Sequence, residues 1–225
     1  LYRRSILGKI NQIRMIKSSF SAIKSILFGS FVMKFFSFFS SIIMARLLAK
    51  EDFGLWVVVI IITSFVELVF NVGFEYYYVV EVDINEKSEN RTPDKKRFEI
   101  ENTVFFLKAL FSVMLFTIQF SSSYFLDGFY FESESSSVDE LIRLTSFSYL
   151  IAPFGVINEV RFRKAQDFKY IIRSQIYGEA TNLVSKVSLA FLGFGAFSIA
   201  YGSLSKSIVS ATYISFKGKF LPSIK

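Results

Sequence analysis

Apolar residues fall into long runs along this chain, and polar residues collect between the runs. A Phe-rich stretch over about 25–48 carries one charge, Lys34, before Arg46. A charged corner at 46–52 follows. A second apolar stretch then runs over about 53–80, with Glu67 near its middle. A helix needs roughly 20 apolar residues to cross a bilayer, so the two stretches predict a hairpin of membrane helices. Four more runs follow, at about 102–126, 140–160, 170–192 and 196–216. They are separated by a polar loop (81–101), an acidic, serine-rich loop (127–139), a basic turn (161–169) and the corner Gly193-Phe194-Gly195. The pattern predicts an all-α membrane protein: a basic leader at 1–24, a bundle of six transmembrane helices at 25–216, and a short tail at 217–225. The third and fourth runs read as the weakest, diluted by Ser, Thr, Gln and Asn. A bundle lining a polar cavity shows such dilution, because cavity-facing positions need not be apolar.

Loop charge orders these spans. Basic residues mark the cytoplasmic side, and sides alternate. The leader carries Arg3, Arg4, Lys9, Arg14, Lys17 and Lys24 and no acid, whereas the 46–52 corner balances Arg46 and Lys50 with Glu51 and Asp52. The 81–101 loop is rich in Lys and Arg, the 127–139 loop has neither, and the 161–169 turn is basic again. The glycine corner has no base, and the tail holds Lys217, Lys219 and Lys225. The alternation holds at each loop and places both termini in the cytoplasm. Spaced isoleucines in the leader fit an amphipathic helix on the membrane face; a solvated basic leader that only sets topology fits equally. Its apolar continuation is too long for a signal peptide and lacks a small-x-small cleavage site, so it reads as an uncleaved anchor.

Composition agrees with a membrane location. The chain is 52% hydrophobic with 29 Phe, more apolar surface than a soluble core of 225 residues would bury. Net charge is +7, but the bases flank apolar spans and form no aromatic-interleaved patch, so no nucleic-acid partner is expected. Cysteine and histidine are both absent, which removes disulfides and thiol or imidazole chemistry. No Gly-rich phosphate loop or metal-ligand spacing appears, so neither an enzyme activity nor a cofactor is predicted.

Charges inside the spans are the candidate functional residues, since each costs roughly 2.5–3.5 kcal/mol at the bilayer centre unless it is paired or faces a cavity. Lys34 and Glu67 each lie about 13 residues from the 46–52 corner, about 20 Å deep at 1.5 Å per residue, and are expected to pair. Glu179 and Lys206 lie at similar depth across the glycine corner and are expected to do the same. Two readings stay open: ion pairs that fix helix register, or charges lining a cavity. With Lys108, Arg143 and Lys186, the bases Lys34 and Lys206 outnumber the acids Glu67 and Glu179, so a cavity lined by them would be cationic and suit an anionic substrate. Pro153 and Gly155 predict a kink in the fourth span, and with it a hinge. Tyr76, Tyr77 and Tyr78 read as interfacial anchors. Ser37 with Ser41, and Ser203 with Ser207, are small-xxx-small pairs expected to bring helices close.

Ala45-Arg46-Leu47-Leu48 followed by Asp52-Phe53-Gly54 resembles the first periplasmic corner of bacterial polysaccharide (O-antigen-type) flippases. These belong to the superfamily of multidrug and oligosaccharidyl-lipid exporters. Glu67-Leu68 with Asn71, Gly73 and Phe74, then Arg161-Phe162-Arg163, then Leu192-Gly193-Phe194-Gly195-Ala196 with Ala200-Tyr201-Gly202, resemble further segments of that family in the same order. The resemblance implies one lobe of a two-lobed MATE-like transporter in the bacterial inner membrane. It implies flipping of polyprenyl-pyrophosphate-linked oligosaccharide by alternating access, for surface polysaccharide assembly, with no cofactor. Its implied partners are membrane lipid, the polyprenyl-linked oligosaccharide, and a second lobe or second copy of this chain, because family members have 12 to 14 helices in two lobes. Competing expectations are a drug exporter of the same superfamily, which would place acids at its binding site, and a truncated or scaffolding membrane protein that does not transport. A membrane glycosyl- or acyltransferase would ordinarily need a histidine or an acidic motif.

Overall fold

The computed structural model describes residues 2–69, 94–127 and 135–219, with side chains over 23–68, 98–124 and 138–219. Among the described residues the chain forms seven α-helices and no strand. These are α1 (Tyr2–Leu47), α2 (Lys50–Val69), α3 (Asp94–Asp127), α4 (Ser135–Ile151), α5 (Pro153–Lys164), α6 (Phe168–Phe191) and α7 (Phe197–Gly218). The leader and the first expected span are one uninterrupted helix, α1. The expectations for Asn71, Gly73 and Tyr76–Tyr78 lie outside the described residues.

Among the described residues two helical segments, Ile23–Leu47 and Phe98–Tyr124, are long and apolar enough to cross a membrane. The bent pair α4–α5 makes a third crossing if it counts as one span. The third run is therefore not a weak one: its mean hydropathy of 1.8 equals that of the first. Its Phe and Leu residues outweigh the hydroxyls. Helices α6 and α7 do not reach that apolarity, because Arg173, Glu179, Lys186 and Lys206 and several serines interrupt them.

Helices α6 and α7 form the most extensive contact in the bundle. Small residues set their approach. A side chain at Gly178 would run into Ser210 and Lys206 of α7, and one at Gly202 would meet Asn182 Oδ1 at 2.6 Å and Lys186 Cβ at 2.9 Å. Helix α1 lies along α6, with Gly29 against Ile172. On its other sides α7 meets α4 and α5, and α3 packs on α4 and α5. Helix α2 rests on α4: Val59 packs with Val138, Leu141 and Ile142 of α4 and with Ala196 and Ala200 of the α7 start. Helices α1 and α2 share a corner but make no substantial contact, so the expected hairpin does not form. Each finds its buried face elsewhere, α1 through Gly29 on α6 and α2 through Val59 on α4.

The expected kink is present: α4 and α5 meet at 49°. Pro153 has no N–H to donate, and the N–H of Ala152 divides between the carbonyls of Ser148 and Tyr149 at 3.3 Å each. The bend is packed, with Gly155 against Ile214 and Ala211 of α7.

Polar contacts fix the two ends of the bundle. At one end Asp52, at the start of α2, reaches the glycine corner. Its Oδ1 accepts from the Ala196 N–H at 2.9 Å, and its Oδ2 accepts from the Ala49 N–H at 3.3 Å. The carboxylate thus sits at the positive end of α7. The corner is shaped to receive it. Gly193 (φ 81°) closes α6 in a Schellman turn, with Gly193 N–H on the Ala190 carbonyl and Phe194 N–H on that of Leu189. Gly195 (φ 50°) lies so near Asp52 that a Cβ would stand 2.5 Å from Oδ1. At the other end the fully buried Glu101 of α3 accepts from Arg161 of α5 through both carboxylate oxygens, one bond being 2.6 Å long.

Two outcomes follow for purified protein in detergent micelles. Asp52→Ala removes the carboxylate at the α7 start and lowers stability by about 0.5–2 kcal/mol, read as an earlier thermal unfolding midpoint. Arg161→Ala takes the guanidinium from a buried carboxylate and costs about 3–5 kcal/mol, whereas Glu101→Leu with Arg161→Met recovers most of that loss. A double variant no more stable than Arg161→Ala would refute this account of the pair.

Candidate functional site

A cleft of roughly 430 Å³ opens between α2, α4 and α7. Helix α2 presents Trp56, Thr63, Ser64 and Glu67 to it, α4 presents Thr145, Ser148 and Tyr149, and α7 presents Ser203 and Ser207. Offsets of three and four residues put each set on one helix face. Glu67 is exposed at the cleft, and among the described lining residues it is the one charged side chain.

Behind the lining a buried network holds its walls in register. Gln119 of α3 is fully buried. Its Nε2 donates to Thr145 Oγ1 at 3.0 Å and to Thr63 Oγ1 at 3.3 Å, and its Oε1 accepts from the Tyr149 hydroxyl at 2.9 Å. One amide side chain therefore ties α2 and α4 together through three lining residues. Sequence reading missed Gln119, Thr63, Thr145 and Tyr149. The signal was their helical spacing: hydroxyls recur at Thr145, Ser148 and Tyr149, and at Ser203 and Ser207.

The sequence-predicted residues divide in space. Glu179 of α6 and Lys206 of α7 form the expected ion pair, and Asn182 Nδ2 donates to Glu179 at 3.3 Å. Lys186 is half-buried two turns along α6 from Glu179, where the charges of Glu179 and Lys206 both act on it. The two acid–base pairs are not one device used twice, because Lys34 and Glu67 do not pair: both are exposed, on helices that lie apart. Matched depth fixed their height but not their neighbours. Lys108, half-buried on α3, is near enough to act on Glu67 through its charge. Arg143 is engaged at the α3–α4 contact. It donates to Ser123 Oγ at 2.9 Å, lies 3.7 Å from Asp139, and sits 4.5 Å over the Tyr124 ring.

The cationic cavity expected from the count of internal bases is thus not what this cleft presents. Lys34, Lys108, Arg143, Lys186 and Lys206 are all absent from its lining. Ser203 and Ser207 line the cleft, and Ser37 and Ser41 are exposed. Gly29, Gly178 and Gly202 supply the close contacts. Chemically, the arrangement offers many hydroxyl donors and acceptors, an indole, a phenol and one carboxylate.

No curated protein and no solved structure matches the chain. A match to the family described as polysaccharide biosynthesis protein covers residues 43–225. That stretch contains the Asp52 contact with the glycine corner, the Glu101–Arg161 pair and every residue of the cleft. With its apolar helices, this is a membrane protein. The chain belongs to the polysaccharide biosynthesis protein family.

Proposed function

We propose that this protein takes part in moving a lipid-linked oligosaccharide across the bacterial inner membrane for surface polysaccharide assembly. In this reading it is a multi-pass transporter with no enzyme activity and no cofactor, its basic end faces the cytoplasm, and it works by alternating access with a second lobe or a second copy. The observation that carries the reading is the cleft itself. Hydroxyls from three helices, Trp56 and Tyr149 as flat apolar surfaces, and a single carboxylate form a lining suited to sugar hydroxyls and sugar ring faces. It fits the glycan portion of such a substrate better than the pyrophosphate. The α4–α5 bend supplies a place where the helices lining the cleft can change angle.

A second reading rests on the same carboxylate. With Glu67 as the one charged side chain among the described lining residues, the cleft also suits a cationic compound, as in a drug exporter. One variant separates the two. Glu67→Gln keeps the shape and one acceptor but loses the charge-assisted hydrogen bond, a loss of about 1.5–3 kcal/mol, or roughly ten-fold or more. In cells that depend on this transporter, Glu67→Gln and Trp56→Ala are each expected to lower surface polysaccharide by about that factor, with the protein level in the membrane unchanged. Normal polysaccharide in both variants would overturn the glycan reading. Loss of cationic dye efflux alone would favour the second.

A further inference from the structure

The bend between α4 and α5 leaves a second opening, on a different side of α7 from the cleft. Ile151 and Phe154 at the bend form one wall of a groove of roughly 820 Å³, and Ile208, Thr212 and Phe216 of α7 form the other. Its volume falls in the range of small-ligand sites, roughly 300–1,000 Å³. Phe154, Ile208 and Phe216 are 60%, 45% and 76% exposed, so the groove lies open along the side of the bundle. At membrane depth an open apolar groove is filled by hydrocarbon. Thr212 and Ser215 add hydroxyls to its lining, and charge enters at one rim, where the end of α7 brings Lys217 and Lys219. Helix α7 stops there: Lys219 takes a left-handed conformation (φ 54°), and its N–H closes on the Ser215 carbonyl at 3.0 Å. Ser215 Oγ in turn donates to the Phe154 carbonyl and holds α7 to the bend.

Two lysines at a helix C-terminus ordinarily do no more than complement the helix dipole. Here they stand at the mouth of an apolar groove, at the end of the bundle where Gly218 lies against Asn158 of α5 and the last turn of α5 carries Arg161, Arg163 and Lys164. The combination matches an amphiphile with a hydrocarbon chain and one anionic head. We propose that this groove is a binding site for an anionic phospholipid, with an acyl chain between the α4–α5 bend and α7 and its phosphate against Lys217 and Lys219. The proposal rests on the membrane location and is independent of what the cleft carries. A lipid lodged at the bend would fill the space into which α5 and α7 would have to close when the bend straightens.

The test is retention of lipid by the purified full chain, read by native mass spectrometry after exchange into detergent. The probes are phosphatidylglycerol, phosphatidylcholine and soluble glycerol phosphate. Phosphatidylglycerol is expected to be retained preferentially and glycerol phosphate not at all, because the headgroup alone lacks the chain. Lys217→Gln with Lys219→Gln should weaken phosphatidylglycerol binding about five-fold per lysine, corresponding to about 1 kcal/mol each, down to the level of phosphatidylcholine. Thr212→Phe, which fills the groove from an exposed α7 position, should reduce retention of both lipids. Lys24→Gln with Lys169→Gln removes the same charge elsewhere and should change nothing. Equal retention of the two lipids by the unaltered protein would overturn the proposal. So would an equal loss in the Lys24/Lys169 variant, which would mean diffuse surface attraction. A dimer that falls apart on Thr212→Phe while lipid retention stays the same would assign the groove to a protein interface instead.

Discussion

The close approach of α6 and α7 is the contact on which the remaining arrangement depends. Their association draws on tight packing and on polar contacts across the interface. Gly178 and Gly202 supply the first, and Glu179 with Lys206 the second. Glycine lets the backbones come near enough for Lys206 to bond Glu179, so that each charge has a partner. Every other helix is placed by reference to this pair: α1 against α6, α4 and α5 against α7, and α2 and α3 against α4.

That order of packing explains why the cleft exists. Had α1 and α2 closed on each other, α2 would have been held beside α6. They diverge from their common corner, and α2 is drawn to α4 by Val59, Val138, Leu141 and Ile142. The space left between α2, α4 and α7 is lined by whatever polar residues those helices do not bury. Gln119 then serves the site without entering it. By bonding to Thr63, Thr145 and Tyr149 it fixes which way three lining groups turn, and a polar pocket that recognises a ligand needs such fixed orientations.

Much of this was legible in the sequence where the cause is local. Glycines flanking Phe194 predicted a tight corner, Pro153 predicted a bend, and an acid and a base at similar distances from that corner predicted the Glu179–Lys206 pair. The same depth argument failed for Lys34 and Glu67, because distance along a helix says how deep a residue lies and nothing about which way it faces or which helix is its neighbour. Loop length does not settle the neighbour either: five residues, 192–196, join α6 to α7, which pack, and two, 48–49, join α1 to α2, which part. The character of the cleft was illegible for a related reason. Counting internal bases weighs all spans together, whereas a cavity samples only the faces that converge on it. Those faces carry hydroxyls, and the bases lie on others.

The contact of Asp52 with the α7 start has a mechanical consequence. It ties the beginning of α2 to the beginning of α7, two points 144 residues apart in the chain, and Val59 with Ala196 and Ala200 continues the attachment one or two turns inward. Helix α1 leaves the same corner without such an attachment to α2. Two of the three cleft walls are thereby anchored to each other at one end, like the arms of tongs riveted at the pivot. Widening or narrowing of the cleft is then concentrated at the far end, towards Glu67 and Ser207, while the riveted end keeps its spacing.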